Sequence, residues 1–278
     1  MREYLELAKP RIVAMVLVTT AIGYWLAGGR DAVVLACTLA GTALAASASG
    51  SLNQLFERDK DALMRRTRGR PLPGGRLTPR QALGFGISCA LGGLGVMAWK
   101  VNALSLSLTA FTMGSYLLLY TPLKLRTPQS TWVGAAAGAM PPLIGWAAAA
   151  GRLEPQAWAL FAIQFLWQIP HFLAIFWLHR EDYAAAGFRV MPVVDPSGRS
   201  TACQIAVHSF ALLPASLMPT LSGMAGLPYG CGALALGTAF LGLGMRASWT
   251  LAAQDTRRLF FATLAYLPLL FGMLLILR

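Results

Sequence analysis

The sequence predicts an all-α membrane protein with about nine transmembrane helices. Of its 278 residues, 56% are hydrophobic and only 12% are charged, whereas a soluble globular protein carries about 25% charged residues. Apolar runs long enough to cross the hydrocarbon of a bilayer, roughly 17 to 25 residues, can be read nine times. The chain contains no credible strand and no stretch typical of a soluble domain. Residues 1–278 are therefore interpreted as a single transmembrane domain.

The nine predicted spans alternate with loops of very different length. They are residues 12–28, 32–52, 82–99, 103–120, 131–150, 156–178, 201–221, 228–245 and 259–277. The connections at about 53–81 and 179–200 are long and polar, and long loops in a compact protein are usually functional. Both lie on the same side of the predicted bundle.

The basic residues indicate how the chain crosses the membrane. With a cytoplasmic N-terminus, only Arg30, Lys100, Arg152 and Arg278 of the 23 basic residues fall on the outer side. This asymmetry follows the positive-inside rule. It predicts a multi-pass protein of the inner (plasma) membrane, with its active-site loops cytoplasmic and its C-terminus outside. It also accounts for the formal charge of +12 without a nucleic-acid partner.

The most informative polar segment follows the second span. Asn53, Glu57 and Asp61 are four residues apart, so on a helix they form one column of oxygen ligands. Such ligands suit Mg²⁺, and arginines such as Arg66 and Arg70 suit phosphate oxygens. The pattern predicts a diphosphate bound through metal at the membrane surface. The alternative is a solvated helix end whose carboxylates pair with neighbouring arginines.

A second polar pair follows the fourth span. Tyr120 and Lys124 are again four residues apart, with Pro122 between them. A phenol and an ammonium group could both face a bound diphosphate. They are also what an interfacial aromatic belt and a lysine that extends to the membrane surface would give, and the residues alone slightly favour that interpretation.

The third group lies at the end of the sixth span. On a regular helix His171 and Asp182, eleven residues apart, share a face to within about 20°. If Asp182 holds a metal at the mouth of a cavity, His171 points into the same cavity at greater depth. That position suits an acceptor substrate, for which a macrocycle with a metal centre is one candidate. A structural, hydrogen-bonded histidine is the alternative, and it is the interpretation chosen for His208.

Several of these motifs occur together with other rare combinations. They are Lys9-Pro10-Arg11, Asn53-x3-Glu57-x-Asp59-x-Asp61, Arg66-Thr67-x2-Arg70-Pro71-Leu72-Pro73, Tyr120-Thr121-Pro122-Leu123-Lys124 and Pro170-His171-Phe172 followed by Asp182-Tyr183. Together they resemble the signature of the UbiA-type intramembrane prenyltransferases and, among these, of the protohaem IX farnesyltransferases. The resemblance covers residues 9 to about 195. The family often has Asp where this chain has Glu57.

The resemblance implies a fold, a reaction and a set of site residues. The fold would be nine helices around a central cavity, open to the cytoplasm and laterally to lipid. The reaction would transfer a farnesyl group from farnesyl diphosphate to a vinyl group of haem B, giving haem O, with Mg²⁺ as cofactor. The implied partners are the lipid bilayer and a downstream haem A synthase. The two other hypotheses are a prenyltransferase for an aromatic or quinone-precursor acceptor and a non-catalytic haem or lipid carrier.

The resemblance also assigns a role to each candidate residue. The implied metal ligands are Asn53, Glu57, Asp61 and Asp182. The implied diphosphate contacts are Arg66, Arg70, Lys124, Arg126 and Arg11. The implied catalytic residues are Asp61, Lys124, His171 and Tyr120.

Overall fold

The computed structural model describes residues 1–277, and these contain helices and turns but no strand. The helices are α1 (Arg2–Ala8), α2 (Pro10–Leu26), α3 (Ala32–Leu63), α4 (Pro79–Lys100), α5 (Ala103–Gly114), α6 (Thr121–Leu123), α7 (Ser130–Gly138), α8 (Pro141–Ala150), α9 (Pro155–Leu178), α10 (Arg180–Ala185), α11 (Met191–Val194), α12 (Arg199–Leu221), α13 (Leu227–Thr250) and α14 (Ala253–Ile276). A π-helical turn, Ser115–Tyr120, joins α5 to α6.

The prediction of about nine transmembrane helices is confirmed. Eight helical segments in the described part of the chain are long and apolar enough to cross a membrane, and α2 adds a shorter apolar helix.

Several of the helices begin at side-chain caps, which satisfy the free backbone N–H groups of a first turn. The Asp31 carboxylate accepts from Val33 and Val34 at the start of α3. Thr78 and Gln81 form a reciprocal capping box at the start of α4.

The second span continues well beyond its predicted end at residue 52. Helix α3 runs to Leu63, so the polar segment is helical and the loop before α4 is correspondingly shorter. The sequence pattern suggested a loop because Asn53, Glu57 and Asp61 are polar. The helix continues because these side chains turn inward and are buried against other helices.

The fifth span is divided into two helices. Helix α7 ends at Gly138 and α8 begins at Pro141, because Pro141 and Pro142 have no backbone N–H to donate to the carbonyls of the preceding turn. Helix α8 is buried along nearly its whole length and packs backbone to backbone on α2. A Cβ at Gly145 would lie 1.8 Å from the Thr20 carbonyl oxygen, so only glycine permits this approach.

Two local structures pack against α3 and the loop that follows it: the π-helical turn after α5 and the N-terminal helix α1. The π-helical turn after α5 widens the helix and presents Tyr120 and Thr121; such turns are frequent at functional sites. At the N-terminus, α1 packs on the loop between α3 and α4, where the Glu6 carboxylate accepts two bonds of 2.8 Å from Arg76. The Gln54 amide donates to the Leu7 carbonyl at 2.8 Å and ties α1 to α3.

Candidate active site

The column of oxygen ligands on α3 is buried inside the helical bundle. Asn53, Glu57 and Asp61 are 2%, 6% and 2% exposed, so the alternative of a solvated helix end is wrong. Asp59 is exposed and its carboxylate pairs with Arg58 at 3.2 Å. The four-residue spacing therefore predicted correctly that Asn53, Glu57 and Asp61 share one face of α3.

Each inward carboxylate has a cationic partner. The Arg70 guanidinium donates to the Asp61 carboxylate at 2.6 Å, and the Lys124 ammonium group forms an ion pair with Glu57. Paired, hydrogen-bonded charges are the form in which ionised groups tolerate burial. The pairs join three segments of the chain: α3, the loop that follows it and the loop after α6.

Lys124 does not extend to the membrane surface. It is 7% exposed, and its ammonium nitrogen lies 4.7 Å from the centre of the Tyr120 ring and 5.5 Å from that of Phe188. These are cation–π distances. The interpretation of this pair as a belt tyrosine and a surface lysine is therefore wrong, because both side chains are buried around the Glu57 carboxylate.

The amide of Asn53 is held in a defined orientation. Its Nδ2 group donates to the Thr121 hydroxyl at 3.1 Å, and that hydroxyl donates its own proton to the Tyr116 carbonyl at 2.8 Å. Thr121 can therefore only accept from Asn53, which leaves the amide oxygen available as a ligand. With the Glu57 and Asp61 carboxylates, this gives three oxygen donors on one helix face, a set that fits Mg²⁺.

Asp182 lines a cavity at the end of α9, and its cationic partner differs from that of Asp61. Its carboxylate accepts from Arg65 at 3.1 Å. The cavity has a volume of about 450 Å³ and is lined by Arg65, Arg66 and residues 178–182. The Arg66 guanidinium donates to the Tyr183 phenol at 3.1 Å. Within residues 1–277, no three His, Cys, Asp or Glu side chains are close enough together to hold a metal by themselves.

His171 and Asp182 do not lie on one continuous helix, so the prediction that they share a helix face is wrong. Helix α9 ends at Leu178, and α10 starts at Arg180 in a new direction after His179. His171 lies inside α9, where it contacts α14 through Thr263. Asp182 is positioned by a separate short helix.

Two of the expected diphosphate contacts are peripheral. Arg11 and Arg126 are exposed, and neither side chain forms a hydrogen bond or ion pair with any residue in 1–277. Arg70 and Lys124 are instead the cations in direct contact with the buried carboxylates. The arginine pattern alone did not separate these two classes.

Lys9 belongs to the same group, although the sequence analysis used it only as part of a motif. It adopts the left-handed backbone conformation (φ 56°, ψ 61°) between α1 and α2, which is uncommon for a residue other than glycine. Burial and the positive charges of Arg70 and Lys124 lower its pKa to about 7, against the opposing effect of Glu57 and Asp61. This contact between α1 and the ligand column has no signal in apolar periodicity.

A helical membrane bundle with buried, charge-paired carboxylates is the arrangement expected of an intramembrane prenyltransferase. The chain belongs to the UbiA prenyltransferase family, whose model matches residues 16–271. A relative from Solibacter usitatus, named protohaem IX farnesyltransferase, is 48% identical over 99% of this chain and 98% of its own length.

Solved structures share the fold at low sequence identity. A digeranylgeranylglyceryl phosphate synthase is 15% identical, covers 99% of this chain and 97% of its own, and superposes with a TM-score of 0.83. A UbiA homologue from Archaeoglobus fulgidus bound to DMAPP and Mg²⁺ is 17% identical, with a TM-score of 0.67 over 97% of this chain and 99% of its own.

Proposed function

We propose that this protein transfers a farnesyl group from farnesyl diphosphate to a vinyl group of haem B, giving haem O and diphosphate. The observation that carries the proposal is the buried column Asn53, Glu57 and Asp61, which faces two buried or half-buried cations, Arg70 and Lys124, in an apolar bundle. Charged groups in a membrane interior are costly and mark substrate sites. The name of the relative from Solibacter usitatus supports haem as the acceptor.

The donor diphosphate would bind at the cytoplasmic end of α3. Arg66, Arg70 and Lys124 would contact its oxygens, with Lys9 adding charge. Asn53, Glu57 and Asp61 would hold one Mg²⁺ and Asp182 would help to hold another; when bound, these ions neutralise charge that develops on the diphosphate. Tyr120 would keep the Lys124 ammonium group in place through its ring face.

Farnesyl transfer separates charge, and this arrangement favours that step. The allylic C–O bond breaks and its electron pair leaves with the diphosphate, where the fixed cations stabilise it. The vinyl carbon of haem then bonds to the farnesyl carbon, and the resulting cation takes up water and loses a proton. Apolar walls protect the allylic cation from hydrolysis before the acceptor attacks.

The proposal includes a cellular setting. The chain would lie in the inner (plasma) membrane as one domain, with the ends of α3, α6 and α9 facing the cytoplasm and the C-terminus outside. Haem O would then be available to a haem A synthase. With an aromatic acceptor, the nearest competing hypothesis, His171 would be a structural residue that hydrogen-bonds to Thr263.

The proposed reaction is tested by the mass of its product. Membranes containing the protein, supplied with haem B, farnesyl diphosphate and Mg²⁺, are expected to yield a porphyrin heavier by one farnesyl group and one hydroxyl group. Chelation of divalent cations is expected to stop its formation. Unmodified haem together with prenylation of an aromatic acceptor would overturn the assignment.

Lys9 gives the site a predicted pH dependence. With a pKa of about 7, its amine is charged below pH 7 and neutral above it. A bound diphosphate favours the charged form, so binding takes up a proton and weakens as the pH rises. Between pH 7 and 8, the affinity of the wild type for inorganic diphosphate is expected to fall by up to about tenfold.

The matched control for this effect is Lys9→Arg. A guanidinium group remains charged between pH 7 and 8. Any pH dependence of diphosphate binding to this variant therefore comes from the protonation of diphosphate and not from residue 9. Isothermal titration in two buffers of different ionisation enthalpy measures the proton uptake directly. Identical pH profiles for the wild type and the arginine variant would remove Lys9 from the diphosphate site.

A further inference from the structure

We propose that His171 binds the iron of the haem substrate through its Nε2 atom and so fixes the depth of the porphyrin in the bundle. The inference rests on the proposed function, because it assigns an acceptor-binding residue to the same reaction. His171 would be an axial ligand of the haem iron, so the protein would recognise the porphyrin in part through its metal.

The hydrogen bonds of His171 fix which ring nitrogen carries the proton. Nδ1 lies 2.8 Å from the Thr263 hydroxyl oxygen, and that hydroxyl donates its only proton to the Phe260 carbonyl at 2.5 Å. Thr263 can therefore only accept from His171. In the neutral ring Nδ1 carries the proton, and Nε2 has the free lone pair of a metal ligand.

Such an arrangement is typical of metal-binding histidines. A ligating histidine usually donates its other ring N–H to a fixed acceptor, which sets the tautomer and the orientation of the ring. The imidazole is also stacked between two aromatic rings, with centroid distances of 5.1 Å to Trp167 and 5.3 Å to Phe260. The ring plane and the direction of Nε2 are thus held by the protein before any ligand arrives.

The Nε2 atom is free among the residues that the structure describes. Thr263 is fully buried, whereas His171 is only partly buried, and the one hydrogen bond found for its ring in residues 1–277 is that of Nδ1. His208 provides the contrast within the same chain. Its Nδ1 lies 2.8 Å from the Gln204 carbonyl and its Nε2 accepts from Trp132 at 3.4 Å, as expected of a structural histidine with both nitrogens in use.

The position of His171 along α9 suits an acceptor of porphyrin size. Seven residues, about 10 Å of helix rise, separate it from Leu178, where α9 ends beside the cavity lined by Arg66 and Asp182. Iron bound at this depth would hold the porphyrin about two helical turns from the end of α9. The vinyl group would reach the allylic carbon from the apolar side of the site.

The test is the absorption spectrum of haem B bound to the detergent-purified protein. The wild type is expected to shift the Soret band to the position of an imidazole-ligated haem and to bind haem at least tenfold more tightly than metal-free protoporphyrin IX. His171→Gly is expected to lose the shift and this preference, and added imidazole is expected to restore the spectrum. His208→Gly is the matched control and should keep the wild-type spectrum.

Each outcome separates this inference from the proposed function. A wild-type haem spectrum without nitrogen ligation, or equal affinity for haem and protoporphyrin IX, overturns the inference even if His171→Gly fails to fold. Farnesylated haem formed by a wild type with either of these results would leave the proposed function standing. An imidazole-ligated spectrum without any farnesyl transfer would support the iron ligand and reject the reaction.

Discussion

Replacement of Asp61 by Asn is expected to lower farnesyl transfer by on the order of 10³-fold while the protein still folds and inserts. Asp61 is 2% exposed, and its carboxylate pairs with Arg70 at 2.6 Å. Asparagine keeps the volume and still accepts a bond from Arg70, so packing is little changed. It removes one negative charge from the three-oxygen set, and with it the proposed Mg²⁺ site. Product formation as a function of Mg²⁺ concentration measures the loss.

The neighbouring Asp59→Asn variant is the matched control. Asp59 lies on the same helix two residues away, but it is exposed and pairs only with Arg58. Its replacement is expected to leave the rate within about twofold, since a surface ion pair contributes about 0–1 kcal/mol. The Asp61 variant should also still bind haem B, because that site is formed by other helices. Wild-type turnover by Asp61→Asn would exclude it from the proposed site.

The composition of this chain and the four-residue spacing on α3 were sufficient to predict the membrane-spanning helices and the shared face of the three polar residues. Apolar runs of membrane-spanning length predicted the helices, because hydrocarbon permits few other structures. The spacing of Asn53, Glu57 and Asp61 predicted a shared face, and the structure confirms that they are buried on α3. The end of that helix was misplaced because polarity alone does not distinguish a buried ligand from a solvated loop.

Features that depend on contacts between distant segments were not predictable. The placement of Lys9 depends on a left-handed residue between α1 and α2, and no local pattern signals that geometry. The face shared by His171 and Asp182 was inferred from one continuous helix, whereas the helix ends at Leu178. From the sequence, Lys124 could be either a lysine that extends to the membrane surface or a group that contacts diphosphate, since amphipathic side chains at a membrane interface serve both structure and function. Its burial against Glu57 decides the question and leads to the second prediction.

Lys124→Gln is expected to reduce farnesyl transfer by about 10²- to 10³-fold, the range found when one fixed donor to a developing anion is removed. Lys124 is 7% exposed and forms an ion pair with Glu57, so the variant also leaves a buried carboxylate without a cation. Removal of one partner of a buried pair costs about 3–5 kcal/mol of stability. Rate and thermal stability must therefore be measured together.

The double variant Glu57→Gln with Lys124→Gln separates the two effects. Two neutral amides can hydrogen-bond to each other, so the double variant is expected to recover most of the stability lost by Lys124→Gln. It should remain as inactive as the single variant, because neither the ammonium group nor the Glu57 carboxylate is restored. Recovery of activity together with stability would mean that this pair only supports the fold. Activity that stays low while the melting temperature returns would assign the Glu57–Lys124 pair to the reaction and not to the fold alone.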